Sequence, residues 1–223
     1  MKLPSKTLER NLFNDYRQVI GVDEVGMACL AGPVYVCALS FDREFFNQKH
    51  PELEGVRDSK LLSALQREKL FDKLTQRSDI KFEVAFSDIQ TIDRVNIYNA
   101  ARLAMKKAIN NLTPDNKSIV LMDGKGTIPG ITIHQRAIVG GDRDVFTIAC
   151  ASILAKVTRD KIMTDYAKKY PLYGFERHKG YPTKLHKTKL IEFGPCKIHR
   201  KSFARLSFWT DEDRTPWDSG QKI

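Results

Sequence analysis

The chain of 223 residues is 42% hydrophobic and 29% charged, enough apolar material for one packed domain with an appendage and too much for a disordered chain. No stretch approaches the roughly 20 uninterrupted apolar residues of a membrane span, and Met1-Lys2-Leu3-Pro4-Ser5-Lys6 leads into Glu9 and Arg10 rather than a secretory apolar run. The 37 basic and 27 acidic residues give a net +10, and residues 156–205 alone, with 14 basic and four acidic, carry all of it.

Taken in chain order, Val19-Ile20-Gly21-Val22 reads as a buried strand and Val34-Tyr35-Val36-Cys37-Ala38-Leu39 as a second. Gly26, Gly32 and Pro33 punctuate the turn between them. Leu62, Leu65, Leu70, Phe71 and Leu74 fall at helical spacing over 62–76, with Ser63 placed to cap. Lys81-Phe82-Glu83-Val84-Ala85-Phe86 alternates as a strand does. Over 96–112, Ala100, Leu103, Ala104, Ala108 and Ile109 form a helical stripe. Ser118-Ile119-Val120-Leu121-Met122 is a continuously apolar strand ending at Asp123, and Ile131-Thr132-Ile133 is a further strand candidate. Residues 145–168 read as a helix with Ile148, Ile153, Leu154 and Val157 in the core. The pattern predicts an α/β layer architecture with a mixed sheet flanked by helices. It divides into a core over 1–170, with 1–17 as an N-terminal extension, a basic helical extension over 171–209 that binds substrate, and a mobile tail over 210–223.

The basic stripe suggests that one face handles a polyanion, although a generic solvated surface explains it equally well. Cys29, Cys37, Cys150 and Cys196 are widely spaced, with no CxxC pair, and read as reduced buried thiols of a cytoplasmic protein.

Four carboxylates have a suggestive placement. Asp23 and Glu24 follow an apolar strand beside a glycine turn, Asp123 ends a second strand, and Asp142 follows Gly140-Gly141 before a helix. Carboxylates at the strand ends of one α/β sheet can converge on one edge. Packed together they repel unless Mg²⁺ or Mn²⁺, which prefer oxygen ligands, neutralises them. Two such ions about 3.5–4 Å apart would activate a water and stabilise the leaving oxygen of a phosphodiester. Each Asp taken alone is equally a turn residue or helix cap, and Asp144 competes with Asp142 for the same helix.

Val22-Asp23-Glu24-Val25-Gly26 followed by Leu30-Ala31-Gly32-Pro33-Val34 resembles the opening signature of the type 2 ribonucleases H, the bacterial ribonuclease HII family. The similarity continues in register through Asp58-Ser59-Lys60, Ile92-Asp93 with Asn96-Ile97, Ala104-Met105 and Met122-Asp123-Gly124. It goes on through Gly141-Asp142, Ala151-Ser152-Ile153-Leu154-Ala155-Lys156 and Arg159-Asp160. It closes with Tyr173-Gly174-Phe175, His178-Lys179-Gly180-Tyr181-Pro182-Thr183, Gly194-Pro195 and His199-Arg200-Lys201-Ser202-Phe203.

The resemblance implies a ribonuclease H-like fold with a helical C-terminal extension. It implies an endonuclease that cuts the RNA strand of RNA/DNA hybrids and incises at ribonucleotides embedded in DNA, leaving 3′-hydroxyl and 5′-phosphate ends. Asp23, Glu24, Asp123 and Asp142 match the family's acidic catalytic positions. Asp23 would bridge two metals, Asp123 and Asp142 would each complete one site, and Glu24 would orient a ligand water or contribute through its backbone. By the same resemblance, Ser59 and Lys60 contact phosphates and Tyr181 senses the nucleotide after the ribonucleotide. Core packing is the alternative for Tyr181, and an ordinary polar turn for Asp58-Ser59-Lys60. Lys156, Arg159 and Lys179 are expected phosphate contacts within the basic stripe. His178, His186 and His199 read as surface or structural residues rather than ligands. Nothing demands more than a monomer.

The chain departs from the family at Gly26-Met27-Ala28, where Gly-Arg-Gly is typical and is associated with sensing the 2′-hydroxyl at the cleavage junction. Met27 lacks the forked donors of Arg, and Ala28 adds a Cβ where close approach or a positive φ favours Gly. Cleavage at a lone ribonucleotide is therefore expected to be weaker than on continuous hybrid. A non-catalytic nucleic-acid-binding module and a metal-dependent phosphatase of small molecules are the competing functions.

Overall fold

The computed structural model describes residues 3–203, so the expected tail over 210–223 and the end of the 171–209 extension lie outside the described residues. After a short helix α1 (Thr7–Leu12) come β1 (Gln18–Val25), β2 (Val34–Phe41), α2 (Ala64–Thr75) and β3 (Ile80–Ser87). They are followed by α3 (Ile89–Val95), α4 (Ile97–Asn111), β4 (Ser118–Asp123), β5 (His134–Ile138), α5 (Gly141–Asp144) and α6 (Phe146–Lys169). Two further helices, α7 (Phe175–His178) and α8 (Lys184–Phe193), follow the long α6.

The five strands form one mixed sheet in the order β3-β2-β1-β4-β5. The meander β1-β2-β3 is antiparallel, whereas β4 and β5 run parallel to β1. Because successive strand residues alternate between faces, one residue set packs beneath each helical layer. Val19, Cys37, Leu39, Ile119 and Leu121 meet Ile148, Ile153 and Leu154 of α6. On the other face, Ile20, Val22, Val36, Val120 and Met122 meet Ala104, Ala108 and Ile109 of α4. Helix α6 presses so closely on β1 that a Cβ at Gly21 would lie 2.5 Å from the Thr147 carbonyl carbon.

The predicted elements survive with adjusted limits. Ser63 caps α2 in a full capping box with Gln66, and Asn96 caps α4. Two stripe residues face solvent, Leu65 at 61% and Leu103 at 51% exposure, while Ala101 and Met105 are buried instead. The strand expected at Ile131-Thr132-Ile133 forms three residues later, over His134–Ile138. Ile131 and Ile133 pack under the sheet as loop residues instead. As an edge strand, β5 alternates exposed and partly buried positions and needs no apolar run.

The N-terminal segment is tied to the start of α6. Ser5 pairs with Val145 in a parallel bridge, and Glu9, fully buried, accepts hydrogen bonds from the Thr147 backbone N–H at 2.9 Å and its hydroxyl at 3.1 Å. Glu9 thereby occupies free donors at the helix start. The segment after α6 packs back on its C-terminal half through Met163, Ala167, Tyr173, Phe175 and Ile198. All four cysteines are free thiols, three of them buried. None of the helices among the described residues is long and apolar enough to cross a membrane.

Candidate active site

The parallel register brings the first carboxylates together. Val22 pairs with Met122, so Asp23 and Asp123 follow side by side at the C-terminal ends of adjacent strands. Both continue the residue set that faces α6, as Val19 and Gly21 do in β1 and Ile119 and Leu121 in β4. Glu24, paired with Val36, alternates to the opposite face. Asp142 arrives from α5, which follows the left-handed Gly140. The backbone N–H of Gly141 donates to Asp123 Oδ1 at 2.8 Å, tying that loop to the strand end. Asp142 is buried (6% exposed), whereas Asp144 hydrogen-bonds the exposed Arg143. Of the two, it is Asp142 that lies against Lys60 and within the charge of Asp123.

The cluster is short of positive charge. Burial and then its neighbours Glu24, Asp123 and Asp142 raise the Asp23 carboxyl well above the usual carboxylate range, against a hydrogen bond from Ser152. Glu24 is pushed up to about 7 by burial and by the charge of Asp123. Burial also raises Asp142, with the Lys60 ammonium 3.2 Å away pulling the other way. Among the described residues, no three His, Cys, Asp or Glu side chains already close round one point as a finished metal cage. Mg²⁺ needs none, because it binds through one or two carboxylates and completes its shell with water and substrate phosphate. An all-oxygen donor set, mutually repelling and under-neutralised, fits a hard divalent cation.

The expected substrate contacts divide sharply. Lys60 is open to solvent, with 75% of its side chain exposed. Tyr181 and Lys179 are half-buried, Met27 likewise, and Ala28 is exposed. Lys179 Nζ rests on the Thr164 hydroxyl at 2.6 Å, at the mouth of a cleft of about 440 Å³ between α2 and α6. Arg159 is a correction. It is fully buried, and its nitrogens donate to the carbonyls of Pro33, Lys179 and Ala31 at 3.0, 2.8 and 3.1 Å. With all three of its nitrogens engaged and none of the side chain at the surface, it ties the signature loop to the C-terminal segment instead. Ser59 is also turned inward, 3% exposed, its hydroxyl 2.8 Å from that of Ser152. Lys156 is committed to Asp160 at 2.7 Å with a side chain only 14% exposed, and its ammonium lies 5.4 Å from the Tyr181 ring centre. It thus sits between the Asp160 carboxylate and the Tyr181 ring.

The Gly26-Met27-Ala28 turn shows why only its first position is fixed. Gly26 has φ +100°, and a Cβ there would lie 2.5 Å from Arg159 Nε. Among the described non-glycine residues, positive φ is confined to Asn96, Thr113 and Lys179, so Ala28 is unstrained and its added methyl matters only for approach. The Met27 side chain packs towards Val34, Ile92, Ala100 and Ala101, and its carbonyl accepts from buried Arg200 at 3.2 Å.

Three supporting residues escaped the sequence reading. Ser152 touches both Asp23 and Ser59, Gly141 holds Asp123, and Asp93 anchors the C-terminal segment by accepting from Lys201 N, Ser202 N and the Ser202 hydroxyl. Each lies within a motif, but only tertiary contact reveals its task.

A family model described as Ribonuclease HII matches residues 20–211. The chain is 50% identical over 201 residues to the Ribonuclease HII of Caldicellulosiruptor saccharolyticus, covering 89% of this chain and 93% of that relative. It is 42% identical over 197 residues to the Ribonuclease HII of Chlorobium phaeovibrioides, covering 87% and 94% respectively. Among solved structures, the ribonuclease HII in complex with PCNA from Archaeoglobus fulgidus shares the fold, with TM-score 0.70 at 23% identity over 87% of this chain and 99% of that one.

Proposed function

This chain belongs to the ribonuclease HII family, and from that premise we propose that it hydrolyses the RNA strand of RNA/DNA hybrids and incises DNA at embedded ribonucleotides, leaving 3′-hydroxyl and 5′-phosphate ends. The observation that carries this reading is the approach of Asp23, Glu24, Asp123 and Asp142 at one sheet edge, with the carboxyls of Asp23, Glu24 and Asp142 raised by burial and by neighbouring negative charge. Such a site has room for cations that the protein itself does not supply.

Two Mg²⁺ or Mn²⁺ ions would be held there, Asp23 shared between them, Asp123 and Asp142 each completing one site, and Glu24 orienting a ligand water. When bound, they supply an activated water and a charge clamp on the scissile phosphodiester. Ser152 and the Gly141 N–H hold Asp23 and Asp123 in place, so the ligands need little reorganisation. Lys60 bridges the site and the substrate backbone, because its exposed ammonium already reaches Asp142. Lys179 continues the phosphate track, the Tyr181 ring lies against the sugar-base stack, and Gly26, Met27 and Ala28 line the cleavage junction.

Labelled duplexes test this directly, one a continuous hybrid and one DNA with a single ribonucleotide, each with Mg²⁺ and with chelator. Cleavage of both only with the metal, weaker at the lone ribonucleotide, is the expected result. Binding without any cleavage would identify a recognition module instead. Hydrolysis of a small phosphomonoester with both duplexes intact would identify a phosphatase.

A further inference from the structure

Beneath Tyr181 lies a cluster of three buried histidines that the chemistry above does not use. His178, His186 and His199 are 6%, 0% and 5% exposed. The rings of His178 and His186 stack 4.2 Å apart at 12°, and His186 Nε2 lies 3.1 Å from His199 Nε2. The surroundings are aromatic, with Phe175 edge-on to His178 and His186 and Tyr173 against His199. Nearby charge comes from Glu176, Arg177 and Lys179.

The hydrogen bonds leave one set of proton positions. His199 Nδ1 faces both the Cys196 N–H at 2.8 Å and the Cys196 carbonyl at 3.3 Å. That carbonyl already accepts the His199 backbone N–H at 2.9 Å, and a backbone N–H can only donate, so the shorter contact assigns a bare Nδ1 to His199. The proton of His199 then sits on Nε2 and donates to His186 Nε2. His186 is left with its proton on Nδ1, which donates to the Tyr181 carbonyl at 2.9 Å. The same reasoning fixes His178. Gly180 N–H donates to its Nδ1 at 3.1 Å, and its Nε2–H donates to the Tyr173 carbonyl at 2.8 Å. Three neutral rings satisfy all of these contacts except the longer one from His199 Nδ1 to the Cys196 carbonyl, and a fourth proton on His178 or His186 would set two donors against each other. Burial acts in the same sense, lowering His186 to about 4 and His199 to about 3.

The chain thus runs from Cys196 through His199 and His186 to the peptide of Tyr181. At its far end His199 pairs with Ala31 in an antiparallel bridge, and Leu30 N–H donates to the Gly180 carbonyl at 2.9 Å. Both connections reach the loop that carries Met27 and Ala28. We propose that His178, His186 and His199 are positioning residues, a neutral relay that sets the Gly180-Tyr181 backbone and with it the seat of the Tyr181 ring at the cleavage junction. The proposal rests on the reading of Tyr181 as a substrate contact, and the experiment separates the two.

Imidazole ¹⁵N–¹H correlation spectra of the unmodified chain at pH 7 come first. Three neutral rings are expected, protonated at Nδ1 in His186 and at Nε2 in His178 and His199; any charged ring, or Nε2-protonated His186, overturns the relay. Cleavage of the two duplexes is then compared among variants. His199→Gln keeps an N–H that can donate to His186, whereas His199→Leu and His186→Phe remove the link. The latter two are expected to lose roughly tenfold or more at the lone ribonucleotide relative to continuous hybrid, as a displaced contact group does. His199→Gln is expected to stay within about threefold of the parent. Equal loss on both duplexes, or Gln behaving as Leu, means the histidines are merely structural. Should Tyr181→Ala leave the duplex preference unchanged, the substrate role of Tyr181 fails. The ring resonances of Tyr181 in His199→Leu then decide: a shift supports the relay, and an unmoved ring overturns it.

Discussion

The sheet edge and the joint between the signature loop and the C-terminal segment bury opposite charges in opposite ways. At the edge, carboxylates face one another and their acidities move against ionisation. At the joint, Arg159 and Arg200 are as deeply buried, yet each nitrogen of the Arg159 guanidinium rests on a carbonyl, of Pro33, Lys179 or Ala31. Arg200 donates to Gly32 and Met27, with its Nη2 left unpartnered among the described residues. At Arg159 backbone dipoles neutralise the guanidinium without leaving a place for a ligand. Carboxylates crowded on one another leave that place open. Buried charge marks a ligand site only where the fold declines to satisfy it.

Removing the satisfied charge should therefore cost the fold, and removing the unsatisfied one should cost only the chemistry. Arg159→Met strands three buried carbonyls and is expected to destabilise by about 3–5 kcal/mol in urea unfolding. A loss below about 1 kcal/mol would mean that the joint is held elsewhere. Asp142→Asn should fold and bind hybrid nearly as the parent does, while turnover drops at least about 100-fold. Normal turnover in that variant, with Asp144→Asn inactive, would reverse the assignment.

The two regions also bias stability oppositely with pH. Glu24 rises from 4.5 to about 7 on folding, so the folded state keeps a proton that the unfolded state releases, and stability is lost as pH climbs from 4.5 to 7. His186 falls from 6.5 to about 4, so its contribution is complete above 6.5 and is lost as pH drops towards 4. In metal-free protein, Glu24→Gln should leave the acid-labile slope and His186→Phe the alkali-labile one. Parallel slopes in both variants would defeat the comparison.

Smaller effects test the junction and the phosphate track. Met27→Arg with Ala28→Gly is expected to raise lone-ribonucleotide cleavage about 10-fold or more, the size of one charge-assisted hydrogen bond of about 1.5–3 kcal/mol. No selective gain would clear that tripeptide of limiting the reaction. Lys60→Ala should flatten the log-log salt dependence of hybrid affinity by up to about one unit, and Lys156→Ala should leave it unchanged. Equal flattening would show that Lys156 leaves Asp160 to meet phosphate.

Most of the sheet was legible, and with it the strand-end placement of Asp23, Glu24 and Asp123, because period-two burial and strand-end carboxylates are local signals. The β5 register was not, since Ile131 and Ile133 supplied the apolar pattern of a strand while packing as a loop. Leu65 and Leu103 sat at helical spacing but on the flank of the stripe, where Ala101 and Met105 had the buried positions. Asp142 and Asp144 could be ranked by residue pattern only through the resemblance, whereas burial separates them at once. Arg159 misled most. A basic residue in a basic stripe carries no mark of the three carbonyls that reach it from distant segments. The histidines, read as surface or structural residues, are buried, and their order of protons depends on contacts that span Tyr173 to His199.

Helix α6 receives its first turn from Glu9, 138 residues earlier, while Arg200 completes the signature loop by reaching 168 residues back to Gly32. Closing such long loops is slow in folding, because entropy is lost before the contacts reward it. A nascent chain emerging from the ribosome would hold its acidic strands well before either closure, and only release of the segment around Arg200 would let the loop beside them set. Completion of the loop beside the acidic strands is thus a late event in the life of the polypeptide, reached only when nearly all of the described chain has been made.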